Sequence, residues 1–208
     1  MTSVLYFHGF ASSPASAKIT ALRPLLAPHG IEINAPDLNV PSFEQMDFDA
    51  MVELALRAAR EHPPRAMVGS SLGAQIALAA AKRGIAVPLV LIAPAIGQQE
   101  RWREQMPKED PVTVFNFARN GNAPIHRAFF AQMLALDVDA DPPASRVTVI
   151  MGRDDQTVSF ERVEGLWRAW EASGRLAEGS RFIEIPEGDH GLVGHTELIG
   201  QVIVEAVQ

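Results

Sequence analysis

Six short apolar runs recur along this chain, separated by stretches with helical spacing, and this alternation restricts the fold more than any other feature. The runs are Thr2–Phe7, Ile31–Ala35, Arg65–Gly69, Pro88–Ala93, Arg146–Met151 and Arg181–Ile185. They are rich in Val, Ile and Leu and almost unbroken in hydrophobicity, as suits strands covered on both faces. Helical patterns lie between them: Ala15–His29, Met46–Glu61, Leu72–Arg83 with Gly84 as a stop, Ile125–Leu136, Phe160–Ser173 and Thr196–Val207. Strand and helix in alternation imply βαβ units with right-handed crossovers. The expected fold class is therefore α/β, a three-layer α/β/α sandwich on a mainly parallel sheet of about six strands. A single domain over 1–208 is expected.

Composition narrows the function classes. The 208 residues include 18 Lys and Arg against 25 Asp and Glu, a formal charge of −7. That balance gives no basic footprint for nucleic acid and no attraction to an anionic membrane. Cysteine is absent, which removes disulfides, thiolate metal sites and cysteine nucleophiles together and fits a cytoplasmic protein. The N-terminal run Val4-Leu5-Tyr6-Phe7 lacks a basic leader and passes straight into His8-Gly9, unlike a signal peptide. Ile85–Gly97, the longest apolar stretch, is broken by Pro88 and Pro94 and falls short of the roughly 20 residues a membrane span needs. Nothing in the sequence sets an oligomeric state.

One interval breaks the rhythm. Residues 97–143, 47 in all, separate two runs that an ordinary crossover helix would join. Gln98–Asp110 is densely charged, Asn120-Gly121-Asn122 is a turn signal, and Asp137–Pro143 is an acidic exit. Inserts of this size in compact domains are often lids or binding elements. Trp102, Met106, Phe115, Phe117, Phe129 and Phe130 are its candidate lining residues for an acyl pocket. Ordinary packing of the insert onto the core would account for them equally.

The sharpest chemical signal is Gly69-Ser70-Ser71-Leu72-Gly73, which matches G-x-S-x-G with Ser71 at its centre. A strand run precedes it and a helical pattern follows, the setting in which a tight turn presents a nucleophilic serine. Ser70 has the wrong offset. A serine hydroxyl needs a base to take its proton. Of six histidines, His190 lies in a loop just after the last strand run and is favoured, with His195 the competitor. His29 and His62 fall at helix ends, and His126 starts a helix. The base needs an acid to hold its tautomer, and Gly152-Arg153-Asp154-Asp155-Gln156-Thr157-Val158 offers two. The order Ser71, Asp, His190 is that of an α/β-hydrolase. Gly152-x-x-Asp155-x-x-Val158 is similar to the G-x-x-D-x-x-V pattern that many such hydrolases carry at this point, and that likeness favours Asp155, with Asp154 the alternative. The oxyanion calls for two N–H donors: Leu72, just after the nucleophile, and Phe10, in the loop His8–Pro14, where His8 has a structural task. No phosphate-loop or metal-ligand spacing occurs, so no cofactor and no metal are expected.

These motifs together resemble the α/β-hydrolase superfamily. The segment Leu5-Tyr6-Phe7-His8-Gly9-Phe10-Ala11-Ser12-Ser13-Pro14 through Ala17-Lys18, with Pro36-Asp37-Leu38 further on, is similar to the small YqiA-like serine esterases. The resemblance runs from Val4 through the His190 loop. It implies hydrolysis of a small-molecule acyl substrate, a short carboxylic ester, with Ser71, Asp155 and His190 as triad. The same triad serves thioesterases, amidases, lactonases and acyltransferases. A non-catalytic binding protein on the same fold is the reading from another class. The first strand run leads directly into the oxyanion loop, so a reduced core without the fold's usual leading pair of strands is expected.

Overall fold

A computed structural model describes residues 2–208. Six strands form one parallel sheet: β1 (Thr2–Phe7), β2 (Ile31–Asn34), β3 (Ala66–Ser70), β4 (Leu89–Ile92), β7 (Val147–Gly152) and β8 (Arg181–Ile185), in the order β2-β1-β3-β4-β7-β8. Every residue of β3, β4 and β7 is buried, whereas the edge strands β2 and β8 keep exposed positions. That difference is the reason the central runs are continuously apolar: both of their faces are covered by helices. The helices are α1 (Ala17–Leu26), α2 (Phe48–Glu61), α3 (Leu72–Lys82), α4 (Gln99–Glu104), α5 (Arg127–Leu134), α6 (Phe160–Ala172) and α7 (Thr196–Val207). α1 packs with α7, and α2 with α3.

Helix starts follow local chemistry. Ser16, Asp47 and Ser159 cap α1, α2 and α6, each side-chain oxygen accepting a backbone N–H from the residue three positions on. The chain then changes direction across the sheet. From β1 it steps outward to β2, then crosses back through α2 to β3 on the other side of β1. The segments leaving β1 and β3 therefore diverge at their C-terminal ends, and the crevice between them is where open α/β sheets hold their ligands.

Within residues 97–143 the structure adds two strands that the sequence patterns did not indicate. β5 (Val112–Asn116) and β6 (Gly121–Ile125) form an antiparallel hairpin around the Asn120-Gly121 turn. Their signal is weak because β5 and β6 alternate exposed positions with half-covered or buried ones and Pro124 interrupts the apolar pattern. The segment is fastened at both ends. The Asp139 carboxylate accepts from the Gly97 N–H at 2.7 Å and from Gln99 Nε2 at 3.0 Å, and Trp170 Nε1 donates to the Asp139 carbonyl. At its middle, the Phe117 N–H donates to the Ala11 carbonyl at 2.8 Å, which lays the hairpin against the loop after β1. Among the described residues no helix is long and apolar enough to cross a membrane.

Candidate active site

The elbow between β3 and α3 sets the geometry. Ser71 has φ 54° and ψ −116°, a left-handed backbone that a serine adopts only when its surroundings enforce it. The flanking glycines show what enforces it. A Cβ on Gly69 would lie 2.5 Å from the Gly73 carbonyl oxygen, and one on Gly73 would lie 2.1 Å from the Phe7 carbonyl oxygen. The turn closes only because neither residue has a side chain. Ser71 then stands at the head of α3, where the unpaired N–H groups and helix dipole favour developing negative charge.

Two loops deliver the partners. Asp155 follows β7, and its side chain is fully buried. One carboxylate oxygen accepts from the N–H groups of Thr157 and Val158, each at 2.8 Å. The other lies 2.7 Å from His190 Nδ1. His190 follows β8, and its Nε2 lies 3.1 Å from Ser71 Oγ. With Nδ1–H donating to the carboxylate, Nε2 is left as the acceptor facing the serine. The loop bearing the acid and the loop bearing the base are tied together: Arg153 N–H donates to the Ile185 carbonyl at 2.9 Å and Asp154 N–H to the Gly188 carbonyl at 3.0 Å. Asp189 closes the histidine loop by accepting from the Leu192 N–H at 2.8 Å.

The sequence candidates thus separate in space. Ser71, Asp155 and His190 come together. Asp154 is exposed beside them with its side chain free of that chain of contacts, and His195 lies in a short 3-10 segment, Val193–His195, without a contact to Ser71 or Asp155. Ser70 is buried, and its hydroxyl meets Lys18 rather than His190. His8 is buried, with Nδ1–H donating to the Gly9 carbonyl at 2.9 Å and Nε2 accepting from the Leu38 N–H at 3.0 Å. It joins the loop after β1 to the Pro36-Asp37-Leu38 segment. Burial pushes the His8 imidazole below its ordinary value, against the pull of its bond to Gly9 and of Asp37, and the ring stays neutral in that role.

Phe10 and Leu72 flank the nucleophile from the two sides of the crevice. The loop after β1 passes so close that a Cβ on Gly9 would touch Ser71 Cβ at 3.4 Å. Beside Ser71 opens a cavity of about 280 Å³, lined by Phe10, Leu72, Trp102, Met106, Phe129, Phe130 and Met133 and by no charged side chain. Phe10, Phe129 and Phe130 pack ring against ring with centroids 5.8–5.9 Å apart. Four of the six candidate lining residues therefore meet at the cavity. Phe115 and Phe117 do not: they are 46% and 71% exposed and meet edge to face at 5.2 Å on the hairpin. Phe115 falls on the exposed side of the β5 alternation and Phe117 in the turn after it, which an aromatic count alone could not reveal. Met133 and Leu134, which also line the cavity, escaped the sequence reading although they lie one helical turn beyond Phe129 and Phe130 on α5. Among the described residues no group of three or more His, Cys, Asp or Glu side chains could hold a metal ion.

Under the elbow sits a group that motif reading did not single out. Lys18 Nζ donates to Ser70 Oγ at 3.0 Å from a buried position. Burial pushes its ammonium down to about 8, opposed by Asp155 and Asp189. The signal that could have marked it is a lone cation in the first turn of α1, the end of a helix least suited to one.

A family model described as an uncharacterised protein family, UPF0227, matches residues 3–175. No curated protein matches the sequence significantly. Solved structures share the fold. Est1E from Butyrivibrio proteoclasticus with bound ferulic acid is 19% identical, with TM-score 0.77 over 99% of this chain and 87% of that one. The esterase domain of a Rhodothermus marinus protein is 17% identical, with TM-score 0.69 over 100% and 88%. Mouse alpha/beta hydrolase domain-containing protein 10 is 17% identical, with TM-score 0.74 over 98% and 88%. The fold is that of the α/β-hydrolases.

Proposed function

The chain belongs to the UPF0227 family, and we propose that it is a serine hydrolase that cleaves small carboxylic esters through an acyl-enzyme on Ser71. The observation that carries this reading is the continuous relay Asp155–His190–Ser71, at 2.7 and 3.1 Å, ending on a serine held in strained geometry at the head of a helix. Structural upkeep alone would not account for a buried carboxylate aimed at a half-buried imidazole that in turn faces a crevice.

In the proposed reaction His190 Nε2 takes the Ser71 proton as Oγ attacks the ester carbonyl. The N–H groups of Leu72 and Phe10 face the oxyanion. The imidazolium, stabilised by Asp155, then protonates the departing alkoxide, leaving the acyl group on Oγ. Water attacks the acyl-enzyme with His190 again as base, and the acid departs. Every proton is accounted for by these residues and water, so the reaction calls on no cofactor. The uncharged cavity supports an apolar acyl group, and residues 97–143 would act as the lid that covers it. Est1E, which shares this fold, carries ferulic acid, so an aromatic acyl group belongs in the substrate series beside straight chains.

The test is labelling by a fluorophosphonate probe with peptide mapping, followed by rates on p-nitrophenyl acetate, butyrate and octanoate, on methyl ferulate, and on thioester and amide analogues. Labelling on Ser71 that vanishes in Ser71→Ala, with ester turnover above thioester and amide, is the expected result. Labelling that persists in a folded Ser71→Ala protein sinks the assignment. A protein that no probe modifies would instead be a binding member of the fold.

A further inference from the structure

The Lys18–Ser70 pair has no part in the relay, yet its position is costly. An ammonium in the first turn of a helix opposes the helix dipole, and a buried one forfeits its hydration. Lys18 is only 9% exposed, and its side chain ends on a neutral hydroxyl, with no carboxylate at ion-pair distance among the described residues. A methionine or leucine would fill the same space without that cost. What the lysine does reach is informative. Ser70 is the last residue of β3 and the chain neighbour of Ser71. Asp155 and Asp189, from the loops after β7 and β8, are the charges that act on the ammonium through space. From β1 the Tyr6 hydroxyl, wholly buried, faces the same Ser70 without a well-formed hydrogen bond.

We propose that Lys18 is a positioning residue of the catalytic site, which anchors the strand end behind the nucleophile through Ser70. The inference rests on the hydrolase reading of Ser71, Asp155 and His190. The anchor acts on geometry. With Ser70 Oγ held from below, the strained Ser71 backbone keeps one orientation toward His190 Nε2, which is what a near-attack arrangement needs. An ammonium has donors and no acceptor, so the direction of the bond to Ser70 is fixed. Burial brings the group down to about 8, and the donor is retained through the neutral range.

The experiment compares wild type with Lys18→Met, Lys18→Gln and Ser70→Ala, each checked for native circular dichroism. It reads kcat and KM on p-nitrophenyl butyrate and follows the His190 ring proton by NMR. Lys18→Met and Ser70→Ala should each lower kcat about tenfold at unchanged KM and shift the His190 ring-proton signal, because Ser71 no longer keeps one orientation toward Nε2. Lys18→Gln keeps a donor for Ser70 and should recover most of the loss. An unchanged kcat and ring-proton signal in a folded Ser70→Ala protein overturn the proposal, as does a Lys18→Gln protein no better than Lys18→Met. The NMR signal reads the alignment without turnover. An unlabelled, inactive wild type whose signal still moves in Ser70→Ala would therefore refute the hydrolase reading and not the anchor.

Discussion

Gly152 and Gly188 touch backbone to backbone: a Cβ on Gly152 would lie 2.1 Å from the Gly188 carbonyl oxygen. One ends β7, three residues before Asp155, and the other lies two residues before His190. Their contact sets the distance between acid and base more directly than any side chain does, because it brings together the two backbones that carry them. Gly152→Ala cannot be absorbed by a rotamer, since the clash is with backbone. It should cost about 2–4 kcal/mol of stability, as overpacking against an unyielding partner does, and activity should fall by more than the fraction unfolded. Urea unfolding alongside initial rates checks this. Wild-type kcat in the folded fraction would show that the two loops hold their spacing by other means.

Asp155 and Asp154 are adjacent in sequence but separate in role. Asp155→Asn leaves the shape intact yet offers an amide where His190 needs a carboxylate, so the imidazole loses its tautomer and its countercharge. A drop in kcat of about 10³–10⁴-fold with little change in KM is expected. Asp154→Asn, on an exposed side chain, should stay within about threefold of wild type, as surface substitutions generally do. Stopped-flow or steady-state rates on p-nitrophenyl acetate decide between them, and equal losses in both variants would contradict the relay.

The pair also shows how far sequence reaches. The elbow was legible because strand, glycines, serine and helix are contiguous, and the order of the three motifs is itself a property of the chain. The choice of Asp155 drew on spacing alone, and its physical basis lies in contacts with Thr157, Val158 and His190 that fold from three segments. The central strands were legible because burial on both faces leaves an unbroken apolar run. The hairpin β5–β6 was not, because short strands packed over loops have no such pattern. Phe115 and Phe117 are the clearest example: aromatic content marked them for the cavity, and the pleat of β5 and the turn after it set them toward solvent. Lys18 is a different case. Its charge in the first turn of α1 shows in the sequence, but its contact with Ser70 joins segments 52 residues apart, and no local rule reports the burial of a side chain.

The cavity makes a prediction about chain length. Met133 lies one turn beyond Phe129 on α5 and lines the cavity with Phe10, Phe129 and Phe130, so truncating Met133 enlarges the space beside Ser71. Met133→Ala should move the preferred p-nitrophenyl ester toward longer acyl chains, raising the octanoate-to-butyrate ratio of kcat/KM by about tenfold, the worth of one or two extra buried methylenes. Phe117→Ala, on the exposed face of the hairpin, should leave that ratio unchanged. A ratio that responds to Phe117 and not to Met133 would move the acyl site out of the cavity.

Lys18 supplies a stability test of opposite sign to the usual one. Its ordinary value is 10.5 and burial lowers it to about 8 in the folded protein. Below about 8 both folded and unfolded chains hold the proton, and the folded state bears the whole cost of burying the charge. Between about 8 and 10.5 the unfolded chain still binds a proton that the folded chain has released, so stability rises with pH through this window. Tyr6 runs the other way, since burial pushes its phenol above its ordinary 10.0. That contribution sets in higher up and is common to wild type and Lys18→Met, so it cancels in their difference. The stability of wild type relative to Lys18→Met should therefore grow by on the order of 3 kcal/mol from pH 7 to pH 10.5. Urea midpoints of the two proteins at half-unit intervals measure it. A gap that is flat across the window would mean that the ammonium reaches water.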